Sequence, residues 1–135
     1  MENKKLRVST GVKIEVNDEG DVIVARLNDN QFIERFYDIV ETMEKVSEYV
    51  ESEEMKAKES REQLAIVSEK TKDIMSDIDN LFGAGSCEKV FGDIIPSAYA
   101  LADFFDQLIP IFEEFASEKQ RSIAAKYNRT RKGQK

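Results

Sequence analysis

The sequence predicts a mainly α-helical protein with a small N-terminal β-hairpin, an α+β arrangement in which a long helical hairpin precedes a C-terminal helix kinked by proline. Apolar and polar residues alternate on both sides of a turn-forming segment within residues 11–28. Apolar positions then recur every three or four residues from 32 to 81, without Gly or Pro, and a wide apolar stripe follows Pro96. We therefore expect one domain over residues 1–118, followed by a basic tail over 119–135.

The β-hairpin is predicted over residues 11–28, and the helical region over 29–118. Val12 and Ile14 alternate with polar residues, "NDEGD" supplies turn chemistry, and Ile23 and Ala25 alternate with their neighbours in the second strand. A hairpin alone is marginal in water, so it must gain strands or pack on helices. The preceding "KLRVS" has the composition of a third strand.

The helical region carries a single heptad seam, typical of a coiled coil or a helical hairpin. One helix from 30 to 81 would be about 78 Å long. We favour a hairpin that bends within residues 51–60, because globular helices are usually shorter and the seam is weak there. The seam positions are Phe32, Phe36, Ile39, Met43, Val46 and Val50, then Leu64, Val67, Thr71, Ile74, Ile78 and Leu81.

The stretch "FGAGSCEKVFG", residues 82–92, is where the glycines cluster and where the one cysteine lies. Gly83 suits a helix C-cap and Ser86 suits the N-cap of a following turn. Neither phosphate-loop glycine pattern is present, although Lys89 could meet an anion. The chain has no His to activate Cys87, whose position at a helix start would lower its pKa somewhat. We interpret the stretch as a connection between helices.

The last segment is the most apolar, with Pro96 predicted at a first helical position and Pro110 expected to kink the helix or start a new one. Its stripe fits a core, but narrow helical seams have limited room for it, and a residual exposed patch would mark a partner site. The candidate partner-binding residues are Phe104, Phe105, Leu108, Phe112 and Phe115.

Charge divides the chain into an acidic body and a basic end. Residues 1–118 carry 13 basic and 27 acidic residues, a net charge of −14, whereas residues 119–135 carry seven Lys or Arg and no Asp or Glu. The acidic body disfavours nucleic acid and anionic membranes, and we expect the tail to be solvated and partly disordered. One cysteine, no apolar run long enough for a membrane span and no secretory signal predict a cytoplasmic protein.

No residue pattern indicates catalysis, a cofactor or a metal ion. Most acid–base and nucleophile–base constellations need a His, which the chain lacks. Asp73 and Asp77 lie one helical turn apart, but the calcium-loop pattern is absent because Phe82 stands where its glycine is required. The sequence therefore predicts a non-enzymatic protein.

The motif around the glycine loop resembles a family of small proteins of tailed phages and prophages of Gram-positive bacteria, described as tail assembly chaperones or uncharacterised tail-region proteins. The resemblance covers roughly residues 12–118, and includes "FIERFYDIVETMEKV" upstream and "FFDQLIPIFEEF" downstream. The signature residues are Leu81, Phe82, Gly83, Gly85, Ser86, Lys89, Phe91 and Gly92.

This resemblance implies a helical protein that coats the aggregation-prone tape-measure protein during tail assembly in the bacterial host cell. The client would contact either the C-terminal phenylalanine stripe or the seam from Phe32 to Val50, in a helix-in-groove mode. A homo-oligomer is also expected. The resemblance assigns no role to the basic tail.

Two alternatives remain from the sequence. The protein could be a structural tail component, or a self-associating helical protein, that is retained in the virion. It could also associate with nucleic acid through "KYNRTRKGQK", in which case binding should depend strongly on salt.

Overall fold

The computed structural model confirms the predicted class: residues 3–133 form one antiparallel β-hairpin followed by five helices. The elements are β1 (Val12–Glu15), β2 (Val22–Ala25), α1 (Asn30–Val50), α2 (Glu53–Lys56), α3 (Ser60–Phe82), α4 (Ser86–Phe91) and α5 (Ala98–Gly133).

The structure describes residues 3–133, except for the side chains of residues 119, 120, 122, 123 and 126–133. The chain forms two compact units, Met1–Leu101 and Ala102–Lys135. The first unit contains the hairpin, α1 to α4 and the first turn of α5, and the second contains the remainder of α5.

The β-hairpin is closed by the side chain of Asn17. Its Oδ1 accepts the backbone N–H groups of Glu19 at 2.9 Å and Asp21 at 3.2 Å, and Gly20 takes a positive φ of 85°. Ile14 pairs with Ile23 across the hairpin. This is local turn chemistry of the kind that Asn and Gly favour.

The hairpin packs on helices, and no third strand joins it among residues 3–133. Strand β2 contacts α3 and α4, and its side chains Ile23 and Ala25 are buried. The prediction that "KLRVS" forms a strand is wrong for the described chain, because residues 3–10 are exposed and form no ladder.

Helices α1 and α3 form the predicted hairpin. The ring of Phe32, at the start of α1, lies 5.3 Å from that of Phe82, at the end of α3, so the two helices run antiparallel. The two apolar stripes meet, and the buried seam residues are Phe32, Phe36, Ile39, Met43, Val46, Thr71, Ile74, Ile78 and Leu81.

The bend between them lies at residues 51–59, within the predicted range, and needs neither Gly nor Pro. Ser52 caps the short helix α2 by accepting the N–H of Met55 at 3.2 Å. The Met55 side chain is 1% exposed, so an apolar anchor holds a segment that is otherwise polar and charged.

Helix α5 starts two residues later than predicted. Ser97 is its N-terminal cap, accepting the N–H of Ala100 at 3.2 Å, and the prediction of Pro96 at a first helical position is wrong. Pro96 instead lies just before the cap with its side chain almost fully buried. The helix then continues through Pro110, although proline donates no backbone hydrogen bond.

The backbone of α5 stays helical into the basic segment, as far as Gly133. The predicted partial disorder of residues 119–135 concerns a segment whose side chains mostly lie outside the described residues, so it stays a prediction. None of the helices described is both long and apolar enough to cross a lipid bilayer.

The α1–α3 core should depend on Phe36, which is fully buried and contacts Phe82 edge-on at 6.5 Å. Phe36→Ala is expected to lower the free energy of unfolding by about 3–5 kcal/mol, because it leaves a cavity. The neighbouring Tyr37 is 50% exposed, so Tyr37→Ala is the matched control, with an expected cost of about 1 kcal/mol or less. Urea unfolding followed by circular dichroism measures both, and equal costs would contradict this assignment of the core.

Candidate interaction surface

The glycine loop connects α3 to α4 and onward to α5 through backbone conformations that suit glycine. Gly83, with a φ of 121°, donates its N–H to Asp79 O and ends α3, which confirms the predicted C-cap. Gly85 and Gly92 take φ values of 84° and 76° on either side of α4. A side chain at these positions would be strained, so the glycines of the motif serve the chain path.

The sequence predicted that Ser86 caps α4, but this prediction is wrong. Gly85 occupies the N-cap position, and the buried Ser86 hydroxyl donates instead to the carbonyl of Gly83 at 2.7 Å. The capping acceptor comes from the preceding helix, because Asp79 Oδ1 accepts the N–H of Cys87 at 2.9 Å. A carboxylate next to exposed helix N–H groups is a favourable arrangement.

The same arrangement disfavours the reactive thiolate form of Cys87. Cys87 is buried, and its Sγ donates to the carbonyl of Met75 at 3.4 Å. Burial, followed by the charge of Asp79 and its hydrogen bond, raises the pKa of Cys87 to about 12. The predicted lowering of this pKa is therefore wrong, since desolvation and a neighbouring carboxylate both oppose the thiolate.

Helix α4 is tied to the β-hairpin by two hydrogen bonds. Lys89 Nζ donates to the carbonyl of Val22 at 3.4 Å, and Asn17 Nδ2 donates to the carbonyl of Lys89 at 3.1 Å. Lys89 is thus placed to join elements, a structural use that the sequence did not predict.

A surface cavity of about 670 Å³ lies beside the glycine loop. Among the described residues, no group of three or more His, Cys, Asp or Glu side chains could hold a metal ion, and no buried side-chain N or O atom lacks a hydrogen bond. The lining residues are Lys72, Met75, Ser76, Asp79, Asn80, Gly83 and Ala84.

The predicted phenylalanine stripe lies on α5, and most of it is buried. Phe115 is half-buried, and the rings of Phe104 and Phe105 lie 5.5 Å apart. The buried members are Phe104, Phe105, Leu108 and Phe112, which are 3–8% exposed. The helical spacing correctly identified an apolar face, but it could not tell a buried face from an exposed one.

Three exposed apolar side chains lie just before this stripe in the sequence. Ile94 is 59% exposed, Ile95 is 47% exposed and Tyr99 is 89% exposed; we call these three residues the Ile94 patch. The patch spans the connection from α4 to α5, beside the buried Pro96. Sequence analysis missed it, although two isoleucines before a proline, at the end of a glycine-rich motif, were the available signal.

The matched family model covers residues 20–135 and is described as a family of unknown function, DUF6673. The chain belongs to the DUF6673 family. No curated protein and no solved structure matches it. The family assignment therefore carries no activity, and the surface of this DUF6673 chain has to be interpreted from its own residues.

The raised pKa of Cys87 should appear as a pH dependence of stability. The folded state keeps the thiol proton above the ordinary pKa of 9.0, whereas the unfolded state releases it, so stability should fall as the pH rises from about 9 toward 12. The quantity to measure is the difference in urea midpoint between the wild type and Cys87→Ala at each pH, because this difference isolates the contribution of the thiol. A difference that is independent of pH from 8 to 11 would contradict the shift.

Burial of the stripe predicts that its members act mainly in folding. Phe104→Asp or Phe112→Asp is expected to cost at least about 3 kcal/mol, because a cavity and a buried charge are created together. Ile94→Asp is the exposed control and should change stability by only about 0.5 kcal/mol. If the phenylalanine variants unfold in urea at the wild-type midpoint, the two side chains belong to the surface.

Proposed function

We propose that this protein is a non-enzymatic tail assembly chaperone, which binds helices of a tape-measure protein while a phage tail is assembled. The observation that supports the proposal is the Ile94 patch, where three large apolar side chains within residues 94–99 are exposed on an acidic chain. Clustered apolar residues with polar surroundings are typical of protein-binding sites.

The chemistry of the patch favours an amphipathic helix as the client segment. Isoleucine and tyrosine side chains can cover an apolar helix face, and Tyr99 also offers a hydroxyl at the rim. The exposed Glu88 and Asp93 lie close by in sequence, and the whole of residues 1–118 has a net charge of −14. The preferred client helix would therefore carry Lys or Arg beside its apolar face.

The Ile94 patch and the phenylalanine stripe differ in how accessible they are to a client helix. The Ile94 patch is exposed as the chain stands, whereas a client could reach Phe104, Phe105, Leu108 and Phe112 only after these residues became exposed. Phe115 is intermediate. We therefore assign first contact to the patch, and the stripe stays a predicted second contact that requires rearrangement.

A non-enzymatic role is consistent with the chemistry of the side chains. The sequence contains no His, and the Cys87 thiol is held protonated by burial beside Asp79. The binding function needs no reactive group, because covering apolar surface is enough to keep a client from aggregating.

Co-expression with the tape-measure protein of the encoding phage or prophage tests the proposal. The wild-type chain should keep the client in the soluble fraction and co-purify with it. The double variant Ile94→Asp, Ile95→Asp should lose both effects while its thermal unfolding stays unchanged. The matched control is Leu64→Asp, because Leu64 is 66% exposed but lies on α3, away from the patch in sequence.

The possible outcomes separate the protein's role from the site. A client that is equally soluble without the chain contradicts the chaperone role. Full activity of the double variant contradicts the Ile94 patch as the contact, and leaves the stripe to be tested with Phe115→Asp, its half-buried member. Stoichiometric recovery of the chain in purified virions would favour the alternative of a structural tail component.

A further inference from the structure

The N-terminal segment has strand-like composition but no partner strand within the described chain. Residues 3–10 are all exposed, with Leu6 at 89% and Val8 at 74%. Leu6 and Val8 alternate with Arg7 and Ser9, the period-2 pattern of a strand with one apolar face. Exposure of Leu6 and Val8 to water is unfavourable, so we expect another surface to cover these side chains.

One edge of the two-stranded sheet is open. Val16 donates its N–H to Asp21 O at 3.0 Å, so the alternation of an antiparallel ladder directs the Lys13 and Glu15 backbone groups away from β2. Both residues are exposed, and β1 pairs only with β2 among residues 3–133. Unpaired backbone groups along an edge are a template for another strand.

The chain enters β1 along a fixed path. The Thr10 carbonyl accepts the N–H of Asn28 at 3.1 Å, and the Asn28 side-chain amide donates to the Ser9 carbonyl. Gly11 passes so close to the second strand that a Cβ there would lie 2.7 Å from Arg26 Cα. These contacts hold residues 9–11 against the end of β2 and Asn28, while residues 3–8 come before the last ladder pair, Val12 with Ala25.

We propose that residues 5–9 of one copy pair antiparallel with the open edge of β1 in a second copy, reciprocally, to form a two-fold symmetric dimer. An isologous pairing of this kind uses the same surface twice and closes on itself. It joins the two hairpins into one continuous sheet, so the open edge of β1 gains a paired strand. It also covers the exposed side chains of Leu6 and Val8.

The charged residues favour one register of pairing between the two copies. With the two-fold axis at Gly11, Val8 lies opposite Ile14 of the second copy, and Arg7 lies opposite its Glu15, an oppositely charged pair. Moving the axis to Thr10 would instead place Arg7 opposite Lys13, a like-charged pair. Both registers align the apolar faces, so the ion pair decides between them.

A second copy fits this edge because the segment and the hairpin have complementary charge. Lys4, Lys5 and Arg7 make the segment basic, whereas the hairpin carries four acidic residues in and beside its turn. These are Glu15, Asp18, Glu19 and Asp21. The inference is independent of the proposed chaperone role, since it uses neither the Ile94 patch nor a client.

Sedimentation velocity of the full chain over a range of concentrations tests the dimer. The wild type should show a monomer–dimer equilibrium. Arg7→Glu and Glu15→Arg should each raise the dimer dissociation constant about tenfold, because the symmetry places the pair in the interface twice. Combining the two substitutions should restore the wild-type value. Arg61→Glu is the control, since Arg61 is exposed on α3 and the charge change is identical.

Hydrogen exchange supplies a second readout. The amides of Arg7, Ser9, Lys13 and Glu15, which face each other in the Gly11 register, should become protected as the concentration rises, and Leu6→Asp should abolish that protection. A wild type that stays monomeric at all concentrations overturns the proposal, and so does a dimer that neither charge reversal weakens. A dimer weakened by the single reversals but not restored by the double variant overturns the Gly11 register.

Discussion

The first unit of the structure depends on the antiparallel packing of α1 against α3. The two apolar stripes are each too narrow to form a core alone, and a two-stranded sheet is marginal in isolation. Once the helices pair, the edge-on contacts of Phe82 with Phe32 and Phe36 close the open end of the helical hairpin. Strand β2 then contacts α3 and α4, which bury its apolar face.

The glycine loop connects the end of α3 to helix α4 and fixes the start of that helix. Asp79 in α3 accepts the N–H of Gly83 through its carbonyl and that of Cys87 through its carboxylate, so one residue both ends a helix and starts the next. Lys89 and Asn17 then join α4 to the hairpin turn. The contacts described for the glycine-rich motif thus direct the path of the chain.

These constraints place the exposed apolar residues. Because Gly92 turns the chain and Pro96 is buried beside Ser97, Ile94 and Ile95 lie in a short connection whose ends are both fixed. A fixed connection loses little conformational entropy on binding, which favours affinity per unit of contact area. The N-terminal segment is different, since the hydrogen bonds to Asn28 hold Ser9 and Thr10, whereas the apolar residues before them would have to become ordered in the proposed pairing.

The sequence alone determined the elements, because periodicity and turn chemistry are local. The hairpin, the Gly83 C-cap and most of the seam from Phe32 to Leu81 could be predicted, and the bend was placed correctly even without a turn residue. The predicted seam was wrong at Leu64, which is 66% exposed. Tertiary structure decided which side chains are buried, which are exposed and which residues contact each other. The use of Asp79 instead of Ser86 as the acceptor at the start of α4 depends on a residue of the preceding helix, and the raised pKa of Cys87 depends on burial and on that same residue. The burial of Phe104 and Phe112 and the exposure of Ile94 and Ile95 were likewise not specified by the local pattern. A pattern along the chain specifies an apolar face, but only packing determines whether that face is covered.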